Sequence, residues 1–163
     1  MIQIRGIFKA VLFFLLAFWS SSCGREKIIY EKKIDLPSQG WAHADTLDFP
    51  FQIVDTTKIY DLVLEITHTP DYAFQNLYVL LHTRFPTGER TKERVSLELA
   101  DATGKWQGAT TGAVVATPIA IQTNAYFNKI GDYALTAEQF MRSDTLENVK
   151  SVTFKIEDTG KKR

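Results

Sequence analysis

The segment NLYVLLHTRFPTGERTKERVSLELA, residues 76–100, carries the strongest structural pattern in this sequence. Apolar residues occupy every second position in both halves of the segment: Leu77, Val79, Leu81, Val95, Leu97 and Leu99. A period of two is typical of a strand with one buried face. Between the two halves, Pro86 and Gly88 favour a turn. The segment therefore predicts an antiparallel β-hairpin from Leu77 to Ala100.

The same alternation recurs on both sides of this hairpin. It is present in KIIYEKKID, TLDFPFQI, IYDLVLEIT, GDYALTA and VTFKIED, while a short strand is expected around Trp106. Pro50 cannot donate a ladder hydrogen bond, so the strand that contains it is expected at a sheet edge or with a bulge. The weakly patterned stretch 109–126 is interpreted as a loop with one short strand near residues 119–122, and LTAEQFMR could instead form a helical turn.

Short alternating strands at roughly ten-residue spacing, without a long amphipathic helix between them, indicate an all-β fold. The sequence predicts an antiparallel β-sandwich of the jelly-roll or immunoglobulin-like kind. A parallel α/β fold would require helices between the strands, and the sequence offers none.

The first 22 residues have the layout of a secretory signal. Arg5 and Lys9 precede an uncharged run from Ala10 to Trp19, and three serines follow it. This run spans only about 15 Å as a helix, which is half of the roughly 30 Å hydrocarbon core of a bilayer. Small residues directly before Cys23, the single cysteine of the chain, favour cleavage by lipoprotein signal peptidase and acylation of the cysteine sulfur. Ordinary signal cleavage near Ser22 and an uncleaved anchor are the alternatives.

These features divide the chain into four parts. We expect a signal peptide over residues 1–22, a lipidated tether over 23–27, a β-sandwich domain over 28–158 and a flexible tail over 159–163. About 140 mature residues suit one domain. Lipidation at Cys23 predicts a membrane partner through the acyl chains and a place in the cell envelope, most readily at the outer membrane, with the leaflet left open.

The charge balance argues against a nucleic-acid partner. Without Arg5 and Lys9, the 19 basic side chains of the full sequence become 17, against 19 acidic ones. A slightly acidic protein offers no electrostatic basis for binding nucleic acid.

No motif for nucleophilic catalysis, phosphate binding, dinucleotide binding or zinc binding is present in the sequence. His68 ends one predicted strand, His82 lies within the next, and Asp71 is in the loop between them. Surface or partly buried histidines are a simpler interpretation than a metal site. Asp61 and Glu65 share one outward strand face, which is typical of solvated carboxylates. We therefore assign no catalytic residue, no metal site and no cofactor, and expect a protein that is not an enzyme.

A set of aromatic and amide residues beside predicted turns offers one candidate ligand surface. These residues are Trp41, Tyr72, Phe74, Asn76 and Trp106. Flat rings beside amide groups can stack on sugars, which would suit a surface glycan-binding lipoprotein of a nutrient-capture system. The alternative interpretation is that these rings close the ends of the sandwich core.

Seven short motifs follow one another along the chain, each occurring once. They are D-T-L-x-F at 45–49, Y-x-L-x-L-x-I at 60–66, D-Y-x-F-x-N-L at 71–77, F-P-x-G at 85–88, G-x-W-x-G at 104–108, F-N-K-I-G-D-Y at 127–133 and V-x-x-V-x-F-K-I-E at 149–157. Together with the cysteine and its short charged spacer, they resemble the gliding motility lipoprotein GldH family over nearly the whole mature chain.

This resemblance implies a non-enzymatic envelope lipoprotein, an accessory component of the secretion-linked gliding apparatus, with other envelope or gliding proteins as partners. It carries over no catalytic residue. The one functional position that the resemblance carries over is the acylated residue, Cys23.

Overall fold

The computed structural model describes residues 27–163, so the predicted signal peptide and the lipidation of Cys23 lie outside the described residues. The described part contains eleven strands and no helix. The strands are β1 Lys27–Asp35, β2 Trp41–Ala42, β3 Thr46–Ile53, β4 Lys58–His68, β5 Asn76–Arg84, β6 Arg90–Glu98, β7 Ala109–Thr111, β8 Val114–Ala125, β9 Gly131–Gln139, β10 Thr145–Leu146 and β11 Val149–Lys162.

Two antiparallel sheets form a sandwich, which confirms the predicted fold class. The first sheet has the strand order β1-β11-β4-β8-β7, and the second has the order β3-β9-β5-β6. A separate two-stranded pair, β2 with β10, lies outside both sheets. Sequential neighbours β5 and β6 form the predicted hairpin, with Leu77 opposite Leu97 and Val79 opposite Val95.

The core lies between the two sheets and is filled by the residues that the alternation assigned to the inner faces. Phe154 of β11 is at its centre, 1% exposed. Its ring centre lies 5.8 Å from those of Tyr30 and Phe49 and 5.7 Å from that of Phe51. These rings come from both sheets, so aromatic packing joins the two layers.

The position of β3 follows from its proline. The strand pairs only with β9 and forms one edge of the second sheet, as Pro50 predicted. Its alternate residues Leu47, Phe49, Phe51 and Ile53 are all buried. The strand interpretation of residues 131–139 is also confirmed, because β9 pairs with β3 on one side and β5 on the other.

Two expectations for the weakly patterned region are wrong. Residues 109–126 form a hairpin of β7 and the twelve-residue β8, rather than a loop with one short strand. Most of β8 pairs with β4 alone, and most of its residues are exposed or half-buried, so its apolar alternation is weak. Trp106 forms a single bridge with Ala100 instead of a strand.

The predicted flexible tail, residues 159–163, is a further correction, because β11 continues to Lys162, which pairs with Lys58. The backbone N–H of Arg163 donates to the carbonyl of Thr57 at 2.8 Å, and the hydroxyl of Thr159 donates to the carbonyl of Ile59 at 2.8 Å. Side chains in this segment have no apolar alternation, which is why its pairing does not show in the sequence.

The strand directions give the sandwich two ends. The proximal end is the one at which β1 begins, and it contains the loops 54–57, 85–89 and 126–130 together with residues 159–163. The distal end contains the loops 69–75, 99–108 and 140–148. The described residues include no helix long and apolar enough to cross a bilayer.

Candidate functional site

Two members of the predicted aromatic surface are buried, so their rings cannot stack on a ligand. Trp41 is fully buried, and its indole N–H donates to the carbonyl of Asp45 at 3.0 Å. Tyr72 is also buried, with its hydroxyl donating to the carbonyl of Asn76 at 3.2 Å. A buried tryptophan or tyrosine contributes a large apolar area to the core when its N–H or O–H group has a hydrogen-bond partner. The predicted stacking surface is therefore wrong at Trp41 and Tyr72.

The other three residues do not form a common surface either. Trp106 is half-buried and packs edge-on against His68, with ring centres 4.4 Å apart. Asn76 is half-buried at the start of β5, where its amide donates to the hydroxyl of Ser96 at 3.4 Å. Phe74 alone is well exposed, at 39%. Apart from Phe74, these aromatic side chains close the distal end of the core, as the alternative interpretation stated.

His68 lies inside this distal cluster and is held in its neutral form. The side chain is fully buried between Trp106 and Tyr72. Because a carbonyl oxygen can only accept, Nδ1 is the protonated nitrogen, and it donates to the carbonyl of Thr69 at 2.8 Å. Burial lowers the pKa of His68, and the hydrogen bond to Thr69 offsets part of this effect.

Burial of His68 makes stability depend on pH. Below the unfolded-state pKa of about 6.5, the unfolded chain binds a proton that the folded chain resists. The free energy of unfolding is therefore greatest above about pH 6.5 and falls as the pH decreases from there, by at most about 1.4 kcal/mol per pH unit. Urea unfolding between pH 7.5 and pH 5, compared with the variant His68→Asn, measures this slope.

The carboxylates of Asp55, Asp101 and Asp158 all have lowered pKa values, so their titration lies below this window. The variant His68→Asn should be less stable than the wild type at pH 7.5 but should lose the slope. An equal slope in both proteins would contradict the assignment to His68.

The histidines do not assemble a metal site. His68 lies in the first sheet and His82 in the second, where it is 3.3 Å from the carboxylate of Glu138. Asp71 is exposed in the loop after β4. Over residues 27–163, no group of three or more potential ligand side chains is positioned to hold a metal ion.

The two outward carboxylates of β4 are engaged in different local contacts. Glu65 forms an ion pair with Lys155 at 2.9 Å, and Asp61 accepts a hydrogen bond from the backbone N–H of Asn124 at 2.7 Å. A cleft of about 210 Å³ opens between the sheets near β6 and β8, and Glu93 is the one carboxylate among its lining residues. Asp61 and Glu65 therefore do not form a pair across this cleft, as glycoside hydrolysis would require.

The distal end carries a different surface, which we call the aromatic–arginine patch. It is a shallow groove of about 560 Å³ on the outer side of the second sheet. Its main residues are Phe74, Tyr78, Arg94, Phe140, Met141 and Arg142. The exposed fractions of Tyr78 and Phe140 are 40% and 43%, which is high for large aromatic side chains.

A buried glutamine fixes the geometry of this patch. Gln139 is fully buried at the end of β9. Its side-chain amide donates to the carbonyl of Ser143 at 2.9 Å, and its side-chain oxygen accepts from the N–H of Met141 at 2.9 Å. The N–H of Phe140 in turn donates to the carbonyl of Tyr78 at 2.7 Å. The exposed rings therefore lie on backbone that is held on both sides, so a partner would meet a preformed surface.

Sequence reasoning found Phe74 but missed the rest of the patch. Tyr78 is on the outer face of β5, and Arg94 is on the outer face of β6 opposite Leu80. Phe140 and Arg142 follow the end of β9. The available signal was an aromatic residue on a strand face that should be polar, which indicates a surface with a binding role.

Comparisons with known proteins agree on one family. The family described as "GldH lipoprotein" matches residues 28–156, which extend from β1 into β11. The chain is 26% identical over 160 residues to a gliding motility lipoprotein GldH homolog from Christiangramia forsetii, covering 94% of this chain and 97% of that protein. It is 22% identical over 150 residues to the gliding motility lipoprotein GldH of Flavobacterium johnsoniae, covering 88% and 92%.

Among solved structures, the chain is similar to a carbohydrate-binding module, CBM28, described as specific for non-crystalline cellulose. The TM-score is 0.39 and the identity 13%, with 82% of this chain and 78% of that chain covered. The family match spans most of the sandwich in a single stretch and agrees with full-length relatives. The chain belongs to the GldH lipoprotein family.

Proposed function

We propose that this protein is a non-enzymatic, lipid-anchored component of the cell envelope that serves as an accessory subunit of a gliding motility apparatus. The observation that carries the proposal is the family match over residues 28–156, together with relatives named as gliding motility lipoproteins over nearly their full length. Acylation of Cys23 fastens the sandwich to the outer membrane.

The lack of an enzymatic role is supported by the chemistry of the described residues. Asp61 and Glu65 take part in structural contacts, and the inter-sheet cleft is lined mainly by apolar side chains. General acid–base catalysis needs a titratable group positioned against a substrate with a second polar group to assist it. The deeply buried His68 contacts aromatic rings and one carbonyl, which suits a structural role.

The aromatic–arginine patch is the surface that we assign to a partner protein of the apparatus. Exposed aromatic and arginine side chains are enriched at protein interfaces. Arg94 and Arg142 beside the exposed rings fit a partner with acidic residues around an apolar contact. The patch lies at the distal end, and Cys23 precedes the start of β1 at the proximal end, so an anchored protein can present the patch to the apparatus.

Deletion and complementation in a gliding host test this function. We expect the deletion strain to lose spreading on agar and single-cell movement, and the wild-type chain to restore both. The variant Arg94→Glu places a negative charge in the patch, so it should restore less than a tenth of the spreading rate. The variant Lys92→Glu makes the same change on the same strand face but outside the patch, and it should restore movement like the wild type.

Immunoblots must show equal amounts of both variants, because Arg94 and Lys92 are exposed and neither substitution should disturb folding. A deletion strain that spreads and moves normally would reject the motility role. Full restoration by Arg94→Glu would reject the assignment of the patch while leaving the motility role in place.

A further inference from the structure

Exposed apolar side chains are concentrated at the proximal end of the sandwich. Within residues 27–163, large apolar side chains with high exposure occur in two groups. Three of them, Phe74, Tyr78 and Phe140, belong to the aromatic–arginine patch at the distal end. The other five lie on β1 and on the proximal loops; they are Ile28, Ile29, Val54, Tyr126 and Ile130. We call this second group the proximal surface.

These five residues reach the same end of the molecule by different routes. Ile28 and Ile29 are at the start of β1. Val54 follows β3 in the short loop that enters β4, while Tyr126 and Ile130 begin and end the loop that connects β8 to β9. Val54 and Ile130 are exposed by 70% and 63%, which is far more than core packing would leave. A group of exposed apolar side chains at one end of a protein is typical of a surface that contacts a membrane or another protein.

Cations surround the proximal surface. They are Lys27, Lys129, Lys161, Lys162 and Arg163, and all five are exposed. Two of them contact neutral groups, since Lys161 Nζ donates to Asn124 Oδ1 at 3.3 Å and Arg163 Nη1 donates to Asn128 Oδ1 at 3.2 Å.

The guanidinium of Arg163 also lies 4.4 Å from the ring centre of Tyr126, so a positive charge sits beside an exposed ring. Lys58, by contrast, is paired with Asp158 at 2.7 Å. Carboxylates also lie at this end: Asp55, Glu89 and Asp132 are in or beside the loops, and Asp61 and Glu157 are on the strands.

The chain itself determines which end of the sandwich is close to the anchor. Cys23 precedes the first residue of β1 by four positions. Four residues span at most about 14 Å even when fully extended. If Cys23 carries acyl chains in the bilayer, the start of β1 lies within that distance of the lipid surface, and the distal end points away from it.

We infer that the proximal surface is a membrane-contact surface, in which the five apolar side chains enter the interfacial region of a phospholipid bilayer and the surrounding cations bind lipid phosphates. Tyrosine beside aliphatic and cationic residues is the composition found at membrane interfaces. Contact at this end adds to the acyl anchor and sets the orientation of the sandwich. The orientation rests on the proposed anchor at Cys23, whereas the lipid affinity of the surface does not.

Vesicle sedimentation of the unacylated protein tests this inference. The mature chain, residues 23–163 with Cys23→Ser, is mixed with vesicles of phosphatidylethanolamine and phosphatidylglycerol. We expect it to bind these vesicles and to be released by added salt, because lipid phosphates attract the cations. The double variant Ile28→Ser, Ile130→Ser should bind about tenfold more weakly, since it removes two apolar groups from the interface.

The matched control is the double variant Phe74→Ser, Phe140→Ser, which removes two exposed apolar groups from the distal end. Its vesicle binding should stay within twofold of the parent, and both double variants should melt within a few degrees of it. The inference would be overturned if the parent protein did not bind the vesicles, or if both double variants lost vesicle binding equally. Unacylated protein is used throughout, so a failure here is distinct from a failure of lipidation at Cys23 or of the motility role.

Discussion

Replacing Phe154 by alanine is expected to lower the free energy of unfolding by about 3–5 kcal/mol. The side chain is almost completely buried, and it packs against Tyr30, Phe49 and Phe51 from neighbouring strands of both sheets. Alanine would leave a cavity among these rings, because a close-packed interior relaxes only partly around a deleted side chain. Because Phe154 is in the first sheet and Phe49 and Phe51 are in the second, the substitution weakens the packing between the two sheets.

Urea unfolding measures this effect as a lower midpoint with an unchanged slope. The corresponding fall in Tm is roughly 10–20 °C for a domain of this size. Phe140→Ala is the matched control, because it removes the same ring from an exposed position and should cost less than about 1 kcal/mol. Similar losses in the two variants would show that Phe154 does not occupy the centre of the core.

Replacing Cys23 by serine is expected to release nearly all of the protein from the membrane fraction. Without the thiol, no thioether to a diacylglyceryl group can form, and the precursor is not cut by lipoprotein signal peptidase. Among the described residues, there is no apolar helix that could retain the chain in its place. The proximal surface alone gives weak, salt-sensitive attachment, whereas several acyl chains together give lasting attachment.

Three measurements test this variant: incorporation of labelled palmitate for acylation, precursor size for processing, and membrane fractionation for attachment. Ser22→Ala is the control, because it changes the adjacent residue while keeping it small. It should be processed, labelled and retained like the wild type. A Cys23→Ser protein that is still processed and still sediments with membranes would contradict the proposed anchor.

Much of the sandwich follows from the sequence because one buried face imposes a period of two. The alternation predicted the inner faces of β4, β5, β9 and β11, and Pro50 correctly indicated an edge strand. Such patterns are reliable where one face of a strand packs on the core along its whole length.

The errors fall where that condition is absent. β8 has β4 as its main neighbour, so its small and polar residues hide a twelve-residue strand. After a register irregularity, β11 pairs again with β4 at Lys162, and residues 159–162 have no apolar side chain to indicate this pairing. In both places backbone hydrogen bonds, rather than side-chain burial, hold the strand, and the amino-acid pattern does not record them.

The candidate surfaces were harder to predict than the fold. Trp41, Tyr72 and Trp106 lie beside turns in the sequence, but tertiary packing turns them towards the core. In the aromatic–arginine patch, Gln139 shapes the loop that follows it, and the backbone N–H of Phe140 joins that loop to Tyr78 of β5. Contacts of this kind join residues more than sixty positions apart, and they cannot be predicted from the pattern of a single sequence.

The pairing of β1 with β11 has a mechanical consequence. Their register runs from Lys27 opposite Asp158 to Asp35 opposite Ser151, so β1 extends from the proximal towards the distal end. A pull between Lys27 and the distal end acts along the strand axis and loads the hydrogen bonds of this ladder in shear, all at once. A sideways pull would instead unzip them one after another. The fold thus resists tension best along the line from the start of β1 to the distal end, which is the direction of the load if the proposed anchor at Cys23 and the proposed partner at the patch are both in place.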